Sequence, residues 1–185
     1  KEGFFASNLI YSGNHKELVE SIPLGKCRYL TGMNDYMMRY ELKPNEELES
    51  VEAIFVYAKS LDEITLNMHK FARHHVLRPE FQNVIRPVLL NNWEATYFDF
   101  THDKLIKLAH HAKNTGIELF VLDDGWFGKR NTDNCSLGDW VDNVEKTGGL
   151  PRLAKEVREL GLKFGLWFEP EMISIDSDLY RAHPE

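Results

Sequence analysis

Two adjacent carboxylates, Asp123 and Asp124, are the residues of this chain best placed to do chemistry. They follow the apolar run Ile117 to Leu122 and precede Gly125-Trp126-Phe127-Gly128. A strand interior does not hold two acids, so the chain must leave its sheet where they begin. In a parallel α/β sheet that exit edge is where ligands bind. Carboxylates accept hydrogen bonds from hydroxyls, and an indole packs on the C–H face of a ring. Two acids beside a tryptophan therefore suit a polyhydroxylated ligand. The same pattern recurs at Asn91-Asn92-Trp93-Glu94 and at Trp167-Phe168-Glu169-Pro170-Glu171. Three polar strand ends, each with a tryptophan, predict a ligand rim rather than a face built for stability.

Each residue also has a plainer use. Trp93, Trp126 and Trp167 could plug the core. Asp123 and Asp124 could cap loops or pair with Arg86, Lys129, Arg130 or Arg152. Glu169 and Glu171 flank Pro170 and could serve as a catalytic acid or as metal ligands. With Asp123 and Asp124, Glu169 would make oxygen ligands at successive strand ends, which keeps a metal-dependent barrel enzyme as an alternative. Gly128 to Gly149 reads as a long loop holding Asp133, Asp139, Trp140 and Asp142, the form of a lid or binding loop. It lacks the oxygen spacing, central glycine and closing glutamate of an EF-hand. Cys135 has no base near it in sequence. His74 and His75 are adjacent on a predicted helix and point about 100° apart, so one ion cannot easily take both. His102, His110 and His111 read as surface helix residues.

The elements that must position these groups alternate from about Val84. Strands are predicted at Val84 to Leu90, Ile117 to Leu122 and Lys163 to Phe168. Leu105, Leu108, Ala109 and Ala112 line one intervening helix, stopped by Gly116. Leu153, Ala154, Val157 and Leu160 line the next, opened by Pro151 and stopped by Gly161. Alternating β and α units imply parallel strands. Three strands fit the first portion of a closed barrel or the start of an open doubly wound sheet, and no glycine-rich phosphate loop follows any of them. Residues 1 to about 59 read differently. Phe4 to Tyr11, Arg28 to Leu30, Tyr36 to Leu42 and Val51 to Tyr57 are β-rich runs between turn formers, as in part of a sandwich. That region could be a packing module or a non-catalytic sugar-binding or assembly module. Ser60 to Val76 then has helical period, with Leu61, Ile64, Met68 and Phe71 on one face and a capping box from Ser60 and Glu63. Leu77 to Asn83 reads as a connector.

The 185 residues are 43% hydrophobic and 28% charged, an ordinary globular composition. A net charge of -7 argues against nucleic acid or an anionic membrane as partner, and no run is long enough to span a bilayer. Cys27 and Cys135 make no disulfide framework, which leans towards a cytoplasmic setting. Lys1 at the start and His183-Pro184-Glu185 at the end suggest a piece of a longer protein.

Several motifs in order resemble the α-galactosidases of glycoside hydrolase family 36, the melibiases. They are WEATYFDF (Trp93 to Phe100), LDDGWFGKRN (Leu122 to Asn131), LGDW (Leu137 to Trp140), GGLPRLAKEV (Gly148 to Val157), GLKFGLWFEPEM (Gly161 to Met172) and DLYRAHPE (Asp178 to Glu185). Gly32 to Pro44 and Val56 to Val76 look like the end of that family's N-terminal β-supersandwich and its linker. The resemblance implies an α/β fold, the first strands and helices of a (β/α)8 TIM barrel over residues 77–185, preceded over 1–76 by part of an all-β sandwich domain. It implies a retaining hydrolase of terminal α-linked galactose, as in melibiose and raffinose, without cofactor or metal and commonly oligomeric. Trp93 would pack on the substrate and Asp123 and Asp124 would hold galactose hydroxyls. Trp126 and Trp167 join them as expected substrate contacts. No residue here takes a catalytic role: the family's two reactive aspartates lie on later strands, and nothing like the lysine-tryptophan-aspartate motif of the nucleophile occurs. The piece alone is therefore expected to be inactive, and its partial barrel to leave an open sheet edge that invites association.

Overall fold

A computed structural model describes residues 3–184. It divides the chain into two units, one running to Val84 and the other starting at Ile85.

The first unit is built from two separate antiparallel ladders. β1 (Phe4–Leu9) pairs with β4 (Ala53–Ala58), and β2 (His15–Ile22) pairs with β3 (Lys26–Met33). β2 escapes a sequence reading because its HKELVESI pattern is mostly polar and exposed. The loop between β2 and β3 turns through Leu24 and Gly25, both at positive φ. The strand expected over Tyr36 to Leu42 is not formed. Tyr36 N–H donates to Asn34 Oδ1 at 3.0 Å, and Met38 N–H to Asp35 O at 3.3 Å, so the Asn34-Asp35 turn chemistry runs on into the apolar alternation. Tyr36, Met38, Tyr40 and Leu42 are all exposed.

Helix α1 (Leu61–Phe71) packs against β1 and β4 and buries Ile64, while Leu61 faces outward. Ser60 Oγ accepts the Glu63 N–H at 3.2 Å, as an N-cap should. The Glu63 carboxylate reaches back one residue further than a capping box requires and accepts the Lys59 N–H at 3.1 Å. Ala72–Val76 continue as a π-helical turn, closed by Leu77 N–H donating to Ala72 O at 2.9 Å. His74 and His75 are exposed there, and His75 stacks on Phe71.

The second unit holds a parallel sheet in the order β5 (Leu89–Asn91), β6 (Leu119–Leu122), β7 (Lys163–Leu166). Helices α2 (Trp93–Thr96) and α3 (His102–Asn114) follow β5; α4 (Val144–Thr147) and α5 (Leu150–Glu159) follow β6; α6 (Asp178–Ala182) comes last. The first strand begins later than its sequence suggests. Pro87 has no N–H for a ladder, and Val88 N–H goes instead to the Glu118 carboxylate at 2.8 Å. Phe120 and Leu122 of β6 are fully buried, and Leu119 and Val121 on the opposite face are half-buried. The core joins that buried face to Leu105, Ala109 and Ala112 of α3 and to Leu153 and Val157 of α5.

The long loop after β6 is more ordered than its composition implies. Phe127 and Asp142 bridge across its base, and the Asp142 carboxylate accepts from Thr147 Oγ1 at 2.6 Å and from Leu150 N–H at 2.7 Å. The loop is also stapled to the segment before α6. Ser136 N–H donates to Asp176 O at 2.7 Å, and Leu137 and Ser174 exchange bonds. The Asp139 carboxylate accepts the first two N–H groups of α6, Asp178 and Leu179, at 3.0 Å each.

Gly148 ends α4 in the left-handed region at φ +70, and a Cβ there would stand 2.8 Å from His102 Cδ2. Gly148→Ala combines backbone strain with this close approach. It is expected to cost more than about 1 kcal/mol, seen as a lower urea midpoint at unchanged slope in the polypeptide carrying this chain. An unchanged midpoint would contradict the packing.

Candidate functional site

The three parallel strands deliver their polar ends to one edge, and hydrogen bonds join those ends. Asn92, fully buried just past β5, accepts the Asp123 N–H on its Oδ1 at 2.8 Å and donates from Nδ2 to Thr96 Oγ1 at 2.8 Å. The second junction is made by Trp167 N–H donating to Leu122 O at 2.9 Å. Sequence reasoning does not single out Asn92 for this role. An asparagine directly after a strand, level with the acids of its neighbour, is the signal that could have found it.

The acidic doublet is held by its own turn. Asp123 Oδ1 accepts the Asp124 N–H at 2.8 Å, and Asp124 Oδ1 accepts the Gly125 N–H at 2.7 Å. Of the four candidate cations, Arg130 takes the partner's role. Its Nε donates to Asp124 Oδ1 at 3.0 Å and its Nη2 to Oδ2 at 2.9 Å. Nη1 is anchored on the carbonyls of Asp133 and Cys135 at 2.7 and 3.0 Å. The side chains of Arg130 and Asp124 are 4% and 7% exposed. This is a buried, charge-assisted fork that fixes the orientation of the carboxylate. Asp123 has no such cation among the described residues, and its carboxylate accepts a hydrogen bond on Oδ1.

Lys146 stands beside this pair. Its Nζ is buried without a hydrogen-bond acceptor among the described residues, 4.2 Å from the Phe100 ring centre and 5.9 Å from that of Phe98. The ring faces offer it partial electrostatic compensation. Burial pushes its pKa below the usual lysine value, opposed by the charges of Asp124 and Asp99.

The tryptophans divide. Trp126 is 2% exposed, and its Nε1–H donates to Trp167 O at 2.9 Å. Its rings pack with Phe127, Trp140 and Phe168. An indole enclosed in this way packs with the core cluster. Trp93 and Trp167 are half-buried and keep part of their surface open. Trp93 meets Tyr97 and Phe98 edge-on at 5.2 and 5.1 Å.

Those two aromatics sit on a strained turn. Asp99 N–H donates to Thr96 O at 2.9 Å, closing a turn in which Tyr97 has φ +46 and ψ −129. That is the first central position of a type II′ turn, where glycine is the usual occupant. Holding a tyrosine there costs about 1–3 kcal/mol, and such strain clusters at functional sites. Tyr97 Oη donates to Glu94 Oε2 at 3.0 Å, which raises the phenol pKa. Among the described residues no group of three His, Cys, Asp or Glu could hold a metal ion, so Asp123, Asp124 and Glu169 do not form one.

Comparison with known proteins agrees with the motifs. Residues 47–185 match the family described as Melibiase. Alpha-galactosidase Mel36A of Lactobacillus acidophilus is 51% identical over 96% of this chain, which covers 24% of Mel36A. The GH36 alpha-galactosidase AgaB of Geobacillus stearothermophilus superposes with a TM-score of 0.87 at 45% identity, over 98% of this chain and 25% of its own. A variant of alpha-galactosidase AgaA from the same organism, solved in complex with raffinose, gives 0.86 at 44% identity, over 98% of this chain and 26% of its own. The chain spans about a quarter of the length of the curated relatives it matches. Strand-end motifs, sheet order and family match converge: the chain belongs to the melibiase family, glycoside hydrolase family 36.

Proposed function

We propose that the polypeptide carrying this chain is a retaining α-galactosidase that releases terminal α-linked galactose from oligosaccharides such as melibiose and raffinose. The chain supplies one wall of the galactose site, as the opening strands of a TIM barrel preceded by part of a β-sandwich. Asp123 and Asp124 accept hydrogen bonds from sugar hydroxyls, Trp93 packs on the C–H face of the ring, and Trp167 lines the wall beside them. The observation that carries this reading is the continuity of the rim: Asn92 Oδ1 accepts the Asp123 N–H and Trp167 N–H donates to Leu122 O, so three successive strand ends are tied by hydrogen bonds. Further support comes from the relatives at 44% identity whose structures hold raffinose and stachyose.

Retention requires a nucleophile and an acid/base about 5–5.5 Å apart. Both belong to residues outside this chain, so the wall orients the sugar while the bond is cleaved elsewhere in the polypeptide. The free cysteines Cys27 and Cys135 support a cytoplasmic setting, and oligomeric assembly is part of the same proposal.

The test is hydrolysis of p-nitrophenyl α-D-galactopyranoside and of raffinose by the complete polypeptide. Asp123→Ala is expected to lower kcat/KM about a hundredfold, the scale of a charge-assisted hydrogen bond lost from a desolvated site. The 185-residue piece alone is expected to release no nitrophenol. Turnover by the piece would refute the assignment of the reactive pair to other residues, and an unchanged kcat/KM in Asp123→Ala would refute the wall.

A further inference from the structure

Phe98 touches both halves of the rim. Its ring meets Trp93 edge-on, 5.1 Å between centres at 87°. Its Cδ1 also lies 3.0 Å from where a Cβ on Gly125 would stand, so the ring rests on the turn that carries Asp124. The Arg130 guanidinium that clamps Asp124 is 5.8 Å from the same ring centre, and Lys146 Nζ is 5.9 Å from it. Phe98 is thus braced by the carboxylate turn and its cations, and meets the indole nearly at a right angle. The preceding residue explains how it gets there: Tyr97 accepts a backbone conformation suited to glycine, and that turn aims Phe98 back at Gly125. Gly125, at φ +94, leaves room for the ring where a Cβ would crowd it.

We propose that Phe98 is a positioning residue that fixes the Trp93 indole relative to the Asp124 carboxylate, so that one pyranose meets both at once. The proposal rests on the reading of Trp93 and Asp124 as sugar contacts. Phe98 acts through Trp93: without the ring the indole loses its bearing on the carboxylate turn and samples other orientations.

The experiment is steady-state hydrolysis of p-nitrophenyl α-D-galactopyranoside by the complete polypeptide that carries this chain. Phe98→Leu is expected to raise KM about tenfold with kcat within about threefold, the signature of lost uniform binding. Phe98→Tyr keeps the ring and is expected to hold KM within about threefold of the parent. In a Trp93→Ala background, Phe98→Leu is expected to add less than about threefold, the non-additivity of a residue acting through its neighbour. Should Phe98→Leu not accumulate as folded protein, Phe98→Met carries the same expectations. A fall in kcat at unchanged KM, as a smaller active fraction produces, overturns the proposal. So does a full tenfold effect on top of Trp93→Ala. If Trp93→Ala by itself leaves KM unchanged, the sugar-contact reading falls and the proposal with it. That failure shows in the single Trp93 variant, independently of Phe98.

Discussion

Arg130→Met in the polypeptide carrying this chain is expected to lower stability by about 3–5 kcal/mol, the cost of removing one partner from a buried ion pair. Asp124 would remain enclosed with its charge uncompensated, and the carbonyls of Asp133 and Cys135 would lose the donor that now serves them. Methionine approximates the length of arginine, so the loss reports charge and hydrogen bonding more than volume. The companion variant separates these causes. Arg130→Met combined with Asp124→Leu removes both charges, and such replacements are often near neutral for stability. The pair should therefore recover most of the midpoint in urea while galactoside affinity stays lost. A loss under about 1 kcal/mol in the single variant would mean that the fork is solvated, as exposed pairs are.

Phe120→Ala should cost a similar amount, about 3–5 kcal/mol, for a different reason. Phe120 is fully buried in the middle strand of the sheet, within the cluster that holds Leu105 of α3 and Leu153 and Val157 of α5. Truncation leaves a cavity between sheet and helices that a close-packed interior fills poorly. Because β6 runs directly into Asp123, activity should fall along with the urea midpoint. Phe120→Leu should lose less of both. A midpoint shift under about 1 kcal/mol for the alanine variant would show that the strand is free to collapse onto its neighbours.

Legibility in the sequence depends on whether a residue's partner is local. β6 and the helix faces of α3 and α5 are readable because apolar period and glycine stops are written in consecutive residues. The acids are readable because two carboxylates cannot continue an apolar strand and must mark its exit. Their environment is not. Arg130 stands among four candidate cations, and only the path of the 128–143 loop selects it. Trp126 carries the same ligand signal as Trp93, yet the bond from its indole N–H to Trp167 O turns it into the core. Tyr36 to Leu42 alternates as a strand should, but no ladder partner is encoded nearby, and the Asn34-Asp35 turn wins. β2 fails in the opposite sense, its charged residues concealing a strand whose register with β3 is set across a three-residue loop. The strained turn at Tyr97 is invisible, since nothing in the residue type announces a positive φ.

The carboxylate of Asp139, taking the first two amides of α6, gives the molecule a shared latch between stretches some forty positions apart. The helix has little cohesion of its own, being five residues long. Their opening is consequently a joint event. Without Asp139 the short helix would keep only the Ser177 Oγ that accepts its Tyr180 N–H. When the tail detaches, the loop loses its anchors at Ser136 and Leu137. The path of the loop that brings Arg130 to Asp124 is thereby tied to the order of a distant segment of the chain.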